Sequence, residues 1–523
     1  MSLTTEGPPA TEVAEAAPPR LGAPVRLAPP VRKGMDRRFG ASDPQPGLDV
    51  ARNPKLARLM RDRRFQFLLV LPNQIVFWTV IFVGFMGTAV PGLNFGTAIT
   101  WYVWFCLVFV MMVVVGRAWC SMCPFGGFAE WIQRRTLFQR TQKALGLGRK
   151  FPEPLARMGF LIPVASFLLL TWIEEFFNIA GPGNPADTSF MVIGIVLSAL
   201  TFFLVFERRS FCRYVCPLTT LIGTVGSMGS VAGFRTRDRE VCLGCKTKDC
   251  MRGSEAGFGC PWYTWPGSAD SNLYCGLCTE CYKSCPEDNI GLFLQKPLTS
   301  VVAPARRRAD VAWGIALLWG LVLYQQVNAT NVFNTLDNKL NSALAFPHYP
   351  NPLDYLGLIV LGALSVAAAA FVIGRLFGTG AVPRRSGKTF IDRMTPFRAY
   401  FLPMAYGLVP VVGADYFARQ LPKFFQHVTR VPVSVGHLFG VGSTSSALYK
   451  ASVIGSNGGI IAVQVGVMAV GTLAAMWTSW RVAGRDLVPV SRHGRGVQVA
   501  AVSLAALLGA ATIVLYVLMN AAD

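Results

Sequence analysis

Residues 242–286 read CLGCKTKDCMRGSEAGFGCPWYTWPGSADSNLYCGLCTECYKSCP, a stretch holding eight of the thirteen cysteines of the chain. Cys275, Cys278, Cys281 and Cys285 follow the run Cys-x2-Cys-x2-Cys-x3-Cys-Pro, in which three close thiolates hold one cubane and the fourth reaches across to a neighbouring cluster. A looser set precedes it: Cys242, Cys245 and Cys250, then Cys260 with Pro261 behind it. Exchanging the distal ligands gives one 4Fe-4S site on Cys242, Cys245, Cys250 and Cys285, and a second on Cys260, Cys275, Cys278 and Cys281. Structural zinc would need only four ligands per ion and gives no reason for this run. Disulfides would need an oxidising compartment, and the topology argued below places the stretch in the cytoplasm.

The rest of the chain is strongly apolar. Of 523 residues, 52% are hydrophobic and only 15% charged, and the mean hydropathy is +0.42, outside the range of soluble globular domains. An integral membrane protein follows. The net charge of +21 sits in short basic clusters beside apolar runs, which is the pattern of the positive-inside rule and not of a nucleic-acid-binding surface; the lipid bilayer is the expected partner and nucleic acid is not.

Residues 1 to about 50 are rich in proline and alanine and lack the apolar core of a signal peptide. Arg52–Arg64 is basic and reads as a short interfacial helix. Nine runs are then long enough to span a bilayer, each needing about 20 apolar residues: 66–90, 97–116, 158–179, 189–207, 310–328, 353–376, 400–421, 458–479 and 497–519. Between the second and third lies a basic segment, Trp131–Arg157, with Arg134, Arg135, Arg140, Lys143, Arg149 and Lys150; Arg306, Arg307 and Arg308 close the cysteine-rich region. Twelve lysines and arginines precede the first span, whereas the loops assigned outside carry Lys339, Lys423, Arg430 and Lys450. The N-terminus and the cysteine-rich stretch are therefore expected in the cytoplasm, at the inner membrane, with the C-terminus outside.

The expected fold is a polytopic all-α membrane bundle with an inserted cytoplasmic ferredoxin-like α+β domain. It divides into a disordered basic tail (1–64), a four-helix membrane domain (65–217), the domain holding two 4Fe-4S clusters (218–300) and a membrane domain of about five helices (301–523).

The first half repeats itself. Two hairpins each return to an arginine followed by a cysteine pair and proline, GRAWCSMCPFGG (116–127) and RRSFCRYVCPLTT (208–220). Cys120, Cys123, Cys212 and Cys216 thus reach one membrane face, the one that carries the cysteine-rich domain. Three readings stand open for them: a third 4Fe-4S site at the membrane surface, two redox-active thiol pairs, or a structural role ending the helices. Cys106, alone in its span, reads as an inert buried thiol.

The order of hairpin, Cys-Pro motif, hairpin, Cys-Pro motif and two 4Fe-4S motifs resembles the membrane polyferredoxins of the NapH and NosR type over residues 65–300. That resemblance implies electron transfer from the quinol pool or a membrane donor, through cytoplasmic clusters, towards a reductase system, with other redox subunits as partners. The family's motifs carry three residues between the cysteines, as Cys212 and Cys216 do; Cys120 and Cys123 are separated by two. The flavin-binding portion of NosR-type proteins has no counterpart.

Polar residues within spans default to functional candidates. Glu174 and Glu175 are either proton acceptors for a quinol or hydrated interfacial groups. Asp415 and Arg419, four apart, are expected to form an ion pair, and Gln325, Gln326 and Gln464 to bond between helices. His348, His427, His437 and His493 fall in expected loops, which argues against a bis-histidine haem. No Walker A or dinucleotide motif stands out. The sequence therefore reads as an electron carrier, either alone or as the quinol-oxidising subunit of a larger oxidoreductase; the alternative is a maturation factor supplying electrons for metal-cofactor insertion into an exported enzyme.

Overall fold

The computed structural model describes residues 47–137, 145–180, 183–304, 307–328, 330–346, 350–380 and 394–521. The expected tail up to residue 46, together with Arg140, Lys143, Arg306 and His348, lies outside the described residues.

Helix starts follow from local chemistry. Asn53, Asn184, Asn351 and Thr395 each precede a proline and accept a backbone N–H of the first turn with their side chains; the cap satisfies a donor that the helix cannot, and proline at the next position has none to satisfy. Seven described helical stretches are long and apolar enough to cross a membrane: Arg64–Met86, Phe95–Arg134, Pro185–Val205, Pro352–Phe377, Pro396–His427, Asn457–Asp486 and Gly494–Leu518. Phe95–Arg134 is a broken path, π-helical over Ala98–Trp104 and kinked after Val115 at Gly116 (φ 63°).

The other two runs expected as spans are helical but differ in kind. Leu161–Phe176 has 16 residues, about 24 Å at 1.5 Å per residue, short of the roughly 30 Å of a hydrocarbon core. Ala309–Val327 has 19 residues, with Asp310, Gln325 and Gln326 at its ends. It is the centre of the molecule, packed by Leu161–Phe176, Pro352–Phe377, Pro396–Gly407 and Val409–Ala418. Gly320 and Gly362 permit that packing, because a Cβ on Gly320 would lie 2.0 Å from the Ile359 carbonyl oxygen and one on Gly362 2.5 Å from the Gly320 Cα; small residues bring helix backbones together where apolar burial alone gives little drive. The Pro396–His427 window is also 94% buried, against 28–39% for the other six apolar stretches. Those six turn large apolar side chains outward, among them Leu68, Phe82, Leu361, Val470 and Leu507, a surface suited to lipid and costly in water.

The cysteine-rich region is built on two antiparallel strands, β1 (Val231–Thr236) and β2 (Ile290–Leu294), pairing Thr236 with Ile290 and Arg235 with Gly291. The remaining residues from Arg239 to Lys283 form short helices and turns that hold the cysteines. The short helix expected over Arg52–Arg64 is present as Pro54–Arg61, and the assignment of residues 47–64 to a disordered tail is corrected. The Leu48 carbonyl extends the sheet by accepting the Leu294 N–H at 2.9 Å, Asp49 pairs with Arg237 at 2.8 Å, and the helix Pro54–Arg61 buries Met60. An open sheet edge and an Asn-Pro helix start order this segment against the cysteine-rich region.

Candidate iron-sulfur centres

Cys242, Cys245, Cys250 and Cys285 line one small cavity together with Lys248, Trp265 and Asn289. Cys242 lies in the helix Arg239–Gly244, which Asp238 caps; Cys245 ends it in extended conformation, and Cys250 follows in the turn Asp249–Arg252. Cys285 arrives from the far side, next to the start of β2. Asn289 joins the two approaches, its side-chain amide 3.4 Å from the Cys242 sulfur and its backbone N–H 3.4 Å from that of Cys285. Burial pushes the Cys250 thiol up, and the neighbouring Cys242, Cys285, Cys260 and Cys245 push it further. Buried thiols crowded in this way ionise only when a cation takes the charge, which is the chemistry of an iron-bound thiolate set.

Cys260, Cys275, Cys278 and Cys281 gather beside it. The Cys281 thiol is raised by burial and by Cys260, Cys278, Cys275 and Cys250 around it. Gly233, at φ +90° in β1, leaves room for Cys275, since a Cβ there would lie 2.8 Å from its sulfur, and the next N–H, of Phe234, points at that sulfur at 3.4 Å. The Cys260 N–H bonds the Cys250 carbonyl at 2.8 Å, so the two sets abut. Among the described residues no group of three His, Cys, Asp or Glu closes on a point as the ligands of a single metal ion do. Zinc would require its thiolates within about 4 Å of one another; thiols ranged around a cavity suit a multi-iron group.

The four thiols of the two membrane motifs also meet. Cys120, Cys123, Cys212 and Cys216 lie within electrostatic reach of one another, and the Cys212 sulfur is 3.4 Å from where a Cβ on Gly126 would stand. In each motif an arginine sits three residues before the first cysteine, and both are buried. Arg117 donates to the Cys120 sulfur at 3.3 Å and crosses to Thr219 of the other motif at 3.0 Å. Arg209 crosses the opposite way, to the Cys120 carbonyl at 2.9 Å and to Glu130 at 2.5 Å. Burial disfavours the Arg209 cation, yet Glu130 beside it raises its pKa overall, and both Cys212 and Cys278 feel its charge. The sequence shows the repeated arginine; it does not show the exchange.

Arginines of this face hold the cysteine-rich region in place. Arg117 stacks over Trp262 at 4.2 Å and bonds the Leu273 carbonyl, Arg134 lies over Phe258 at 3.7 Å, and Arg208 bonds the Cys260 carbonyl at 2.9 Å.

Of the other candidates, Gln326, Gln464 and Cys106 are placed as expected, whereas Asp415, Arg419 and two histidines are not. Asp415 and Arg419 do not pair side chain to side chain, although the Arg419 N–H still bonds the Asp415 carbonyl; the Asp415 carboxylate accepts from Gln326 at 2.8 Å and the Arg419 guanidinium donates to the Gln325 carbonyl at 2.7 Å. Gln464 bonds the Ala418 carbonyl across helices at 3.0 Å. Glu175, partly buried at the end of Leu161–Phe176, accepts from Tyr324 at 2.7 Å. His427 and His437 lie in the short helices Leu421–His427 and Arg430–Leu438, not in an open loop. Cys106 is buried in Phe105–Val115.

Residues 97–144 and 188–233 each match the family of 4Fe-4S binding domains. The two matches fall on the two hairpin-and-motif repeats and enclose Cys120, Cys123, Cys212 and Cys216; they stop short of residues 242–286. Among curated proteins and solved structures nothing matches the chain. These two matches support a ferredoxin-type iron-sulfur protein, and seven of the described helical stretches are long and apolar enough to cross a membrane.

Proposed function

We propose that the protein is a membrane-anchored electron relay between the quinone pool, or a membrane partner, and a reductase system. The observation that carries this reading is the closeness of the three thiol sets: the Cys260 N–H bonds the Cys250 carbonyl, Cys250 lies within electrostatic reach of Cys281, and Arg209 lies within reach of both Cys278 and Cys212. In this reading Cys242, Cys245, Cys250 and Cys285 hold one 4Fe-4S cluster, Cys260, Cys275, Cys278 and Cys281 a second, and Cys120, Cys123, Cys212 and Cys216 a third at the membrane surface. A bound 4Fe-4S cluster supplies one-electron chemistry at a potential set by hydrogen bonds, charge and solvent exposure.

The protein's own part is to fix the sets and set their surroundings. Asn289 and the Phe234 N–H donate to sulfurs; Arg117 and Arg209 place permanent positive charge beside the membrane set, which favours the more negative, reduced state; stacking on Trp262 and Phe258 holds the two layers together. The distribution of lysine and arginine supports a cytoplasmic position for all three sets at the inner membrane.

Anaerobic reduction by a short-chain quinol tests this. A relay is reduced at a catalytic rate by quinol, with EPR signals of reduced clusters. A protein that stays oxidised under quinol but is reduced by a low-potential donor contradicts the relay and supports the maturation-factor alternative.

A further inference from the structure

A cavity of about 360 Å³ lies between the cysteine-rich region and the membrane helices, within the size range of small-molecule sites. Tyr263, Trp265 and Tyr274 form one side, and Val311, Ile315 and Val409 the other. Val311 and Ile315 are buried, roughly 3 and 9 Å along the helix that starts at Ala309. The apolar wall therefore follows that helix inward, while the aromatic wall belongs to the cysteine-rich region.

Besides Asp270 and six serines and threonines, the polar lining of the cavity is Arg213, Arg308 and three tyrosines. Arg213 bonds the Trp262 carbonyl and stacks over Tyr274 at 4.6 Å, but its buried Nε has no partner among the described residues; neither has Trp265 Nε1. The Tyr406 oxygen accepts the Arg308 N–H at 3.2 Å, which leaves its O–H to donate. The Arg308 guanidinium is occupied by Asp310 at 2.5 and 3.0 Å. Unpartnered N–H and O–H donors suit neutral ring oxygens as acceptors.

Position adds a second argument. Tyr274 directly precedes Cys275, Arg213 directly follows Cys212, and Trp265 also walls the cavity lined by Cys242, Cys245, Cys250 and Cys285. Leu273, a further lining residue, is bonded by the same Arg117 that contacts the Cys120 sulfur. The cavity is thus lined by residues next to, or bonded with partners of, all three thiol sets.

We propose that this cavity binds the head group of a membrane quinone or quinol. The ring lies against the aromatic side chains, its oxygens meet Arg213 Nε and the Tyr406 O–H, and its apolar tail runs over Val311, Ile315 and Val409. The proposal rests on the quinone pool being the membrane partner, and its test separates the two.

The iron-loaded full chain in lipid nanodiscs is photolabelled with an azido-quinone and the labelled peptides are mapped by mass spectrometry. The expected label falls on residues 263–274, 308–315 or 404–409 and is displaced by unlabelled decylquinone. Tyr406→Phe is expected to weaken displacement about fivefold, the loss of one hydrogen bond, and Ile315→Trp to abolish the label by filling the cavity, both with unchanged iron content. Displaceable label confined to other helices overturns the cavity and leaves quinone as partner. No displaceable label anywhere overturns both. Label in the cavity displaced by phosphatidylglycerol and not by quinone assigns it to lipid and overturns the proposal.

Discussion

Arg209 and Glu130 form an ion pair at 2.5 Å with side chains 1% and 5% exposed, and it joins the second Cys-Pro motif to the helix that follows the first. Glu130 also pairs with Arg134 at 2.5 Å, and Arg134 lies against Phe258 of the cysteine-rich region. One carboxylate thus binds together the two repeats and, through Arg134, the layer beneath them.

Removing one member of such a pair leaves an uncompensated buried charge. Glu130→Ala and Arg209→Ala are each expected to lose about 3–5 kcal/mol in chemical denaturation of the detergent-solubilised protein, with the double variant losing less than the sum. Additive losses would show that the two side chains do not act as a pair.

Gly233→Ala places a Cβ 2.8 Å from the Cys275 sulfur at a φ of +90°, a conformation that costs a non-glycine residue roughly 1–3 kcal/mol. The variant is expected to lose about four irons per chain while keeping its helical circular dichroism. Full iron content in this variant would contradict the close approach of β1 to Cys275.

How much of this was legible in the sequence depends on how local each cause is. The Cys-x2-Cys-x2-Cys-x3-Cys-Pro run, with its fourth cysteine exchanged between two sites, groups Cys285 with Cys242, Cys245 and Cys250, and those four line one cavity. The hairpin repeat and its arginines are equally visible in the sequence. The exchange of Arg117 and Arg209 between motifs is not, since it depends on how two hairpins 90 residues apart pack. Asp415 and Arg419 are one helical turn apart, but each side chain is taken by a group on Ala309–Val327, which spacing along one helix does not show. The central place of Ala309–Val327 is hidden because hydropathy cannot distinguish a helix facing lipid from one facing other helices.

Asn289 donates through its side chain to the Cys242 sulfur and through its backbone to that of Cys285. Hydrogen bonds to sulfur favour the reduced cluster, so Asn289→Leu is expected to lower one midpoint potential by about 40 mV, equivalent to one hydrogen bond of about 1 kcal/mol. An EPR-monitored redox titration reads the shift. An unchanged potential with unchanged iron would show that Asn289 positions the strand and does not tune the cluster.

The central claim is that all three thiol sets hold iron, and the most direct test is an anaerobic iron and sulfide count with EPR, comparing wild type with Cys120→Ser/Cys216→Ser. The account predicts about twelve irons in the wild type and about eight in the variant, four per cubane. About eight in both would contradict the membrane-surface centre and leave Cys120, Cys123, Cys212 and Cys216 to thiol chemistry or to structure.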